Sequence, residues 1–201
     1  MKVVVIGTGS MGPELAAAFA LAGYDTTIAG RAPAKRDSAA ARATDLADGR
    51  PVTPAPIDGP TFDGVDVVVE TIVEDLAVKH ELLRRIEPWC HPATVIATNT
   101  SSLTIGEIAA SLARPERFAG LHFLKPGHLT GVVEIIPGPA TSDGTTALLR
   151  DVATRMGKAP LVARRRPRVH LEPHPVRRPA RVPPHVGDGR RVGRRYRRRR
   201  L

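Results

Sequence analysis

The 201-residue chain has one cysteine, Cys90. That excludes a disulfide framework and any cysteine-rich zinc site, and no metal is expected. No apolar run reaches the roughly 18 residues that a membrane span needs, so no membrane association is expected. The start, Met1-Lys2 and then Val3-Val4-Val5-Ile6-Gly7, is too short and too glycine-broken for a secretory signal. A cytoplasmic protein is the expectation. Aromatic residues are scarce at 3%, and no internal repeat is visible. What remains is ordinary: 42% apolar residues can build a core, and the length suits one domain, or one domain and a tail.

The net charge of +10 points toward nucleic acid, but its distribution does not. Residues 1–160 hold 15 basic and 18 acidic side chains, whereas residues 161–201 hold 15 arginines and 2 acids. An almost neutral body carries a basic appendage. From Arg164 the periodic pattern stops, and six prolines and fifteen arginines fill the rest. Such a segment buries too little to offset its ordering entropy and is expected to be disordered alone. The domain is therefore read as 1–163 and the tail as 164–201. The tail would bind nucleic acid only non-specifically, through phosphates and in a salt-dependent way. Its one aromatic, Tyr196, offers no stacking platform.

Within the body, strands and helices alternate. Strands are expected at Val3 to Ile6, Thr26 to Ala29, Val65 to Glu70, Ala93 to Thr98, Phe118 to Leu124, Val132 to Ile136 and Ala159 to Ala163. Helices are expected at Pro13 to Leu21, Ala34 to Leu46, Leu76 to Ile86, Thr104 to Leu112 and Thr145 to Met156, with a proline-rich loop over 51–60. Uniformly apolar strands between helices mean an α/β fold: a doubly wound, mostly parallel sheet of the Rossmann type.

Gly7-Thr8-Gly9-Ser10-Met11-Gly12 is G-x-G-x-x-G between a strand and a helix, the context in which that motif binds a dinucleotide. Gly7 permits the tight turn, Gly9 lets the backbone approach a pyrophosphate, and Gly12 lets helix and strand pack closely. Thr8, Ser10 and Met11 complete the turn. The helix start offers free N–H groups to the phosphates. Without a ligand the same turn would merely join strand to helix. At the end of the second strand an NAD site normally has an acid for the ribose hydroxyls. Here Ile28-Ala29 is followed by Gly30 and Arg31. The glycine makes room for a 2′-phosphate and the arginine can pair with it, which tilts the reading toward NADP. The cofactor is thus NAD or NADP.

Three segments follow or end expected strands, at the sheet edge where open α/β folds bind ligands. They are Glu74-Asp75-Leu76-Ala77-Val78-Lys79, Asn99-Thr100-Ser101-Ser102-Leu103, and Leu121-His122-Phe123-Leu124-Lys125-Pro126. Glu134 comes twelve residues after His122, with Gly127 and Gly131 between, and a hairpin-like return would bring it to the imidazole. A histidine oriented by a carboxylate is a sound base for an alcohol proton. Alcohol deprotonation with hydride transfer to a nicotinamide is dehydrogenase chemistry. Each residue also has a plainer reading. His122 could pack against Phe123, Glu134 could be an exposed strand residue, and residues 99–102 could cap the next helix. His80, His91 and His128 take only the plain reading.

The runs IVEDLAVK, IATNTSSL, RPERFAGLHF, GVVEII, GPATS and MGKAP, in that order, resemble the NAD-binding domain of the 3-hydroxyacyl-CoA dehydrogenases over residues 1–163. The resemblance implies an oxidoreductase of fatty acid metabolism acting on a 3-hydroxyacyl-CoA or a related 3-hydroxy acid. It implies His122 as catalytic base, Glu134 as its partner, and Ser101 touching both substrate and nicotinamide. Glu74, Lys79 and Asn99 fall at cofactor-contact positions. Gly30 stands where the family has Asp, and Lys125 where it has a cofactor-contacting Asn. Residues 31–62 are shorter than the family's helical excursion near the CoA end.

After residue 163 the family continues with P-G-F-x-x-N-R and an all-helical domain that dimerises and closes over the acyl chain. Here Pro167 through Val176 read P-R-V-H-L-E-P-H-P-V. Translated one base later, permitted codons allow P-G-F-I-S-N-R-I-L-F. A shifted reading frame in a GC-rich gene is the expectation, and the third bases of the coding DNA decide it. Glu172 then replaces the family's catalytic Asn. A carboxylate cannot donate the amide N–H, so turnover is expected to be impaired and dimerisation doubtful. A dinucleotide-binding fragment without activity, or another β-hydroxyacid dehydrogenase, is the alternative.

Overall fold

A computed structural model of the chain describes residues 1–163. The arginine–proline tail lies outside the described residues, with its expected disorder, shifted frame, Glu172 and nucleic-acid contacts. Eight strands form one sheet: β1 (Lys2–Ile6), β2 (Asp25–Ala29), β3 (Val52–Ala55), β4 (Val67–Glu70), β5 (Val95–Thr98), β6 (Phe118–Phe123), β7 (Val132–Pro137) and β8 (Ala159–Val162). Their spatial order is β3-β2-β1-β4-β5-β6-β7-β8. Every pairing is parallel except β6 with β7. The helices are α1 (Met11–Leu21), α2 (Pro33–Leu46), α3 (Leu76–Ile86), α4 (Ile105–Ala109) and α5 (Asp143–Arg155). This is the doubly wound, Rossmann-type architecture that the alternating pattern implies.

The uniformly apolar strands are explained by burial on both faces. Along β1, Val3 and Val5 belong to a core shared with α1, α2 and α5, among them Phe19, Ala40 and Leu149. Val4 and Ile6 belong to the opposite core, with Leu83 and Ile86 of α3 and Ile108 of α4. The alanine run of α1 is buried almost throughout, because small side chains let the helix lie close to the sheet.

Several expectations need correction. The stretch 51–60 is not all loop, since Val52–Ala55 pairs in parallel with β2, with Pro54 opposite Ile28. At the end of the strand order, a proline leaves no central ladder bond unmade. Helix α1 starts at Met11 rather than Pro13, so the proline sits inside the first turn. Helix α5 starts at Asp143, where Ser142 caps it by accepting from the Thr145 N–H at 3.1 Å. Helix α4 is five residues long rather than reaching Leu112. Its cap is Thr104, whose hydroxyl accepts from the Glu107 N–H at 3.3 Å. Residues 99–102 therefore do not serve as that cap.

Candidate active site

The carboxyl ends of β1, β4, β5 and β6 open onto a cleft of about 500 Å³. Gly9, Ser10 and Met11 line it from the glycine turn, Thr71 to Glu74 from the end of β4, Asn99 and Ser101 from β5, and His122 to Lys125 from β6.

The glycine turn is shaped by close approach. Gly7 has φ +128, and a Cβ there would stand 2.7 Å from the Thr71 carbonyl oxygen. At Gly12 a Cβ would fall 1.9 Å from the Gly7 oxygen, so strand, turn and helix pack through glycine alone. At Gly9 a Cβ would meet nothing within 4 Å, which leaves the backbone bare toward the cleft. Thr8 turns its methyl toward Gly30. Gly30 and Arg31 stand outside the cleft lining, at the end of β2.

His122 and Glu134 are cross-strand partners in the antiparallel β6–β7 pair. The imidazole Nδ1 lies 2.8 Å from Glu134 Oε2, with the side chains 18% and 41% exposed. Their partial exposure follows from strand alternation. Leu121, Phe123, Val133 and Ile135 fill the core of α1 and α5. Phe118, Gly120, His122, Glu134 and Ile136 face the other way. There Ile105 of α4 closes over Gly120, where a Cβ would lie 2.9 Å from its Cδ1.

A second polar system organises the floor. Glu70, at the end of the otherwise apolar β4, is fully buried and so is Lys79 of α3. The ammonium donates to both oxygens of Glu70, at 2.8 and 2.9 Å, and stands 3.4 Å from Glu74 Oε2. The Thr98 hydroxyl and the Ile72 N–H also donate to Glu70. Lys79 thus serves the floor and does not line the cleft. Glu74 Oε1 accepts from the Thr100 hydroxyl, the Ser101 N–H at 3.1 Å, and the Ser102 N–H and hydroxyl at 3.2 and 3.0 Å. Partial burial pushes its pKa up, but the Thr100 and Ser102 hydroxyls, the Lys79 charge and the Ser102 N–H outweigh that and hold it down at about 2. Glu74 fixes the loop that presents Ser101.

Asn99 Oδ1 accepts the Phe123 N–H at 2.8 Å, which ties that loop to β6 beside His122. Lys125 is exposed at the cleft rim. Sequence reasoning assigned no role to three positioning groups. Buried Glu14 of α1 accepts the Gly127 N–H at 2.7 Å, and buried Lys158 donates to the Gly127 and Thr130 carbonyls at 3.0 and 2.6 Å. They clamp the β6–β7 turn. Glu70 is the third, and its one sequence signal is an acid closing a run of buried valines.

The fold, the glycine turn and the cleft together define a dinucleotide-binding domain, and the residues present fit such a ligand: Gly9 leaves its approach open. The chain matches the model of the family "3-hydroxyacyl-CoA dehydrogenase, NAD binding domain" over residues 2–51 and 57–166. It belongs to that family. Solved structures agree. (S)-3-Hydroxybutyryl-CoA dehydrogenase from Ralstonia eutropha is 27% identical with a TM-score of 0.74, over 80% of this chain and 62% of that one. 3-Hydroxybutyryl-CoA dehydrogenase from Escherichia coli is 29% identical with a TM-score of 0.73, over 81% and 38%. An NAD+-dependent dismutase, 5-formyl-3-hydroxy-2-methylpyridine 4-carboxylic acid 5-dehydrogenase, is 28% identical with a TM-score of 0.76, over 81% and 57%. The chain spans less than two thirds of the length of each.

Proposed function

We propose that this chain is the dinucleotide-binding part of a 3-hydroxyacyl-CoA dehydrogenase in which His122 is the base and Glu134 its partner. The observation that supports this most directly is the 2.8 Å contact between them at the carboxyl edge of the sheet, beside the cleft. Bound NAD(P) supplies the hydride acceptor. An ionised Glu134 can only accept, so the proton of the neutral imidazole sits on Nδ1 and Nε2 keeps its lone pair. In the oxidative direction Nε2 takes the proton of the 3-hydroxyl. With the dinucleotide held at the glycine turn, its nicotinamide would accept the hydride from C3 as C3 becomes a ketone. Glu134 then stabilises the imidazolium. In reduction the same proton returns to the forming hydroxyl. Ser101 is held by the Glu74 loop where it can touch substrate and nicotinamide. The 3-hydroxyacyl-CoA substrate is taken from the family and from the two hydroxybutyryl-CoA dehydrogenases above.

The test pairs NADH titration with NADH oxidation by acetoacetyl-CoA. His122→Ala is expected to lower kcat by about 10²- to 10⁴-fold and to leave the Kd for NADH unchanged. Equal turnover in the variant and the parent would overturn the assignment of the base. Tight NADH binding with no turnover in either would favour a dinucleotide-binding fragment without activity.

A further inference from the structure

The turn after β6 leaves Leu124, Lys125 and Pro126 exposed, but Gly127 is buried. A Cβ on Gly127 would lie 3.1 Å from Leu15 Cδ1, 3.4 Å from Glu14 Cβ and 3.6 Å from Met11 Cε. The turn is thus seated on the start of α1, and glycine is what lets it lie so close. Two buried charges take both backbone groups of Gly127. Glu14 Oε2 accepts its N–H at 2.7 Å, and Lys158 Nζ donates to its oxygen at 3.0 Å. The same ammonium donates to the Thr130 oxygen at 2.6 Å and stands 5.8 Å from the centre of the Phe123 ring, one residue after His122.

Water would satisfy an exposed turn, whereas burying a carboxylate and an ammonium is costly. What the arrangement yields is a fixed place for the hairpin. We propose that Glu14 and Lys158 are positioning residues for the base: they fasten the β6–β7 turn to α1, so that His122 keeps its place beside a dinucleotide held at the start of that helix. The inference rests on the dinucleotide and base readings above and adds what holds the two together. Glu14 belongs to the helix whose free N–H groups face the phosphates, and His122 and Glu134 belong to the hairpin. Strands β1 and β6 are separated by β4 and β5, so no ladder bond joins the glycine turn to the hairpin directly. A base displaced by about 1 Å from the hydride-transfer geometry loses about 10²-fold in rate.

Diethyl pyrocarbonate, which acylates an unprotonated imidazole, reads where His122 stands without requiring turnover. The purified chain is treated with and without NADH, and the modified histidines are mapped by mass spectrometry. NADH at about ten times its Kd should slow the acylation of His122 about tenfold. That of His91 should not change, since it is exposed and precedes β5, at the other end of the strands. Glu14→Ala and Glu14→Gln both remove a negative charge from the first turn of α1, and only Glu14→Ala removes the acceptor. At equal NADH occupancy, set by fluorescence titration, the shielding of His122 should be lost in Glu14→Ala and kept in Glu14→Gln. Lys158→Met, which leaves the Gly127 and Thr130 oxygens without their donor, should lose it as well. Equal shielding in Glu14→Ala, Lys158→Met and the parent would overturn the inference. NADH bound to the parent without shielding His122 would be a failure of the base reading, and no NADH binding a failure of the dinucleotide reading; either takes this inference with it.

Discussion

Asn99 Oδ1 accepts the Phe123 backbone N–H at 2.8 Å and so joins the loop that carries Ser101 to the strand that carries His122. The two halves of the site are registered by one amide. Asn99→Ala leaves that N–H unpaired, at a cost of about 1–3 kcal/mol. Urea unfolding should show the loss, and kcat should fall with it. Asn99→Asp keeps an acceptor and should restore most of the stability. Equal stability of Asn99→Ala and the parent would remove the registering role.

The acid limb of stability should depend on Glu74. Its folded pKa, about 2, lies below the ordinary 4.5. The unfolded state therefore binds the proton more readily. The stabilisation is fully present above about pH 4.5 and is lost as pH falls toward about 2. Because the carboxylate is 35% exposed, solvent screening limits its size. Thermal unfolding of Glu74→Gln should vary less with pH over that window than that of the parent. An unchanged acid limb would contradict this account of Glu74.

Lys79 neutralises a carboxylate that has no access to water. Lys79→Met should destabilise the fold by about 3–5 kcal/mol, since Glu70 is left buried and unpaired. Removing both charges with Lys79→Met/Glu70→Leu should recover much of that loss. Denaturant midpoints of the two variants give the comparison. A double variant no more stable than the single one would show that the charge pair is not what matters.

Gly12 and Gly9 should respond differently to the same methyl group. Gly12→Ala places a Cβ 1.9 Å from the Gly7 oxygen and should prevent or severely weaken folding, visible by circular dichroism. Gly9→Ala meets nothing in the protein and should leave Tm unchanged while weakening NADH binding. Full NADH affinity in Gly9→Ala would mean that the pyrophosphate does not cross this turn.

Much of the architecture was legible along the chain. The period of apolar residues and the glycine spacing are local signals, whereas the cap of α3 by Asp75, which accepts the Val78 N–H at 3.0 Å, came only with the structure. Strand β3 was missed because Val52-Thr53-Pro54-Ala55 reads as a proline-rich loop, and only pairing with β2 makes it a strand. The length of α4 was overestimated because sequence pattern alone did not locate where that helix stops.

By itself, the order of residues determined the alternating α/β chain, the glycine turn and the presence of a histidine, a serine and two acids in or just after successive strands. These follow from short-range sterics and apolar periodicity, which act within a few residues. The tertiary structure decided the rest. It set the antiparallel register that puts Glu134 opposite His122, sent Lys79 to the buried floor instead of the cleft, and turned Thr8 against Gly30. Each of these joins residues distant in sequence. Which partner a buried charge or a bare glycine meets is settled only when the sheet closes around it.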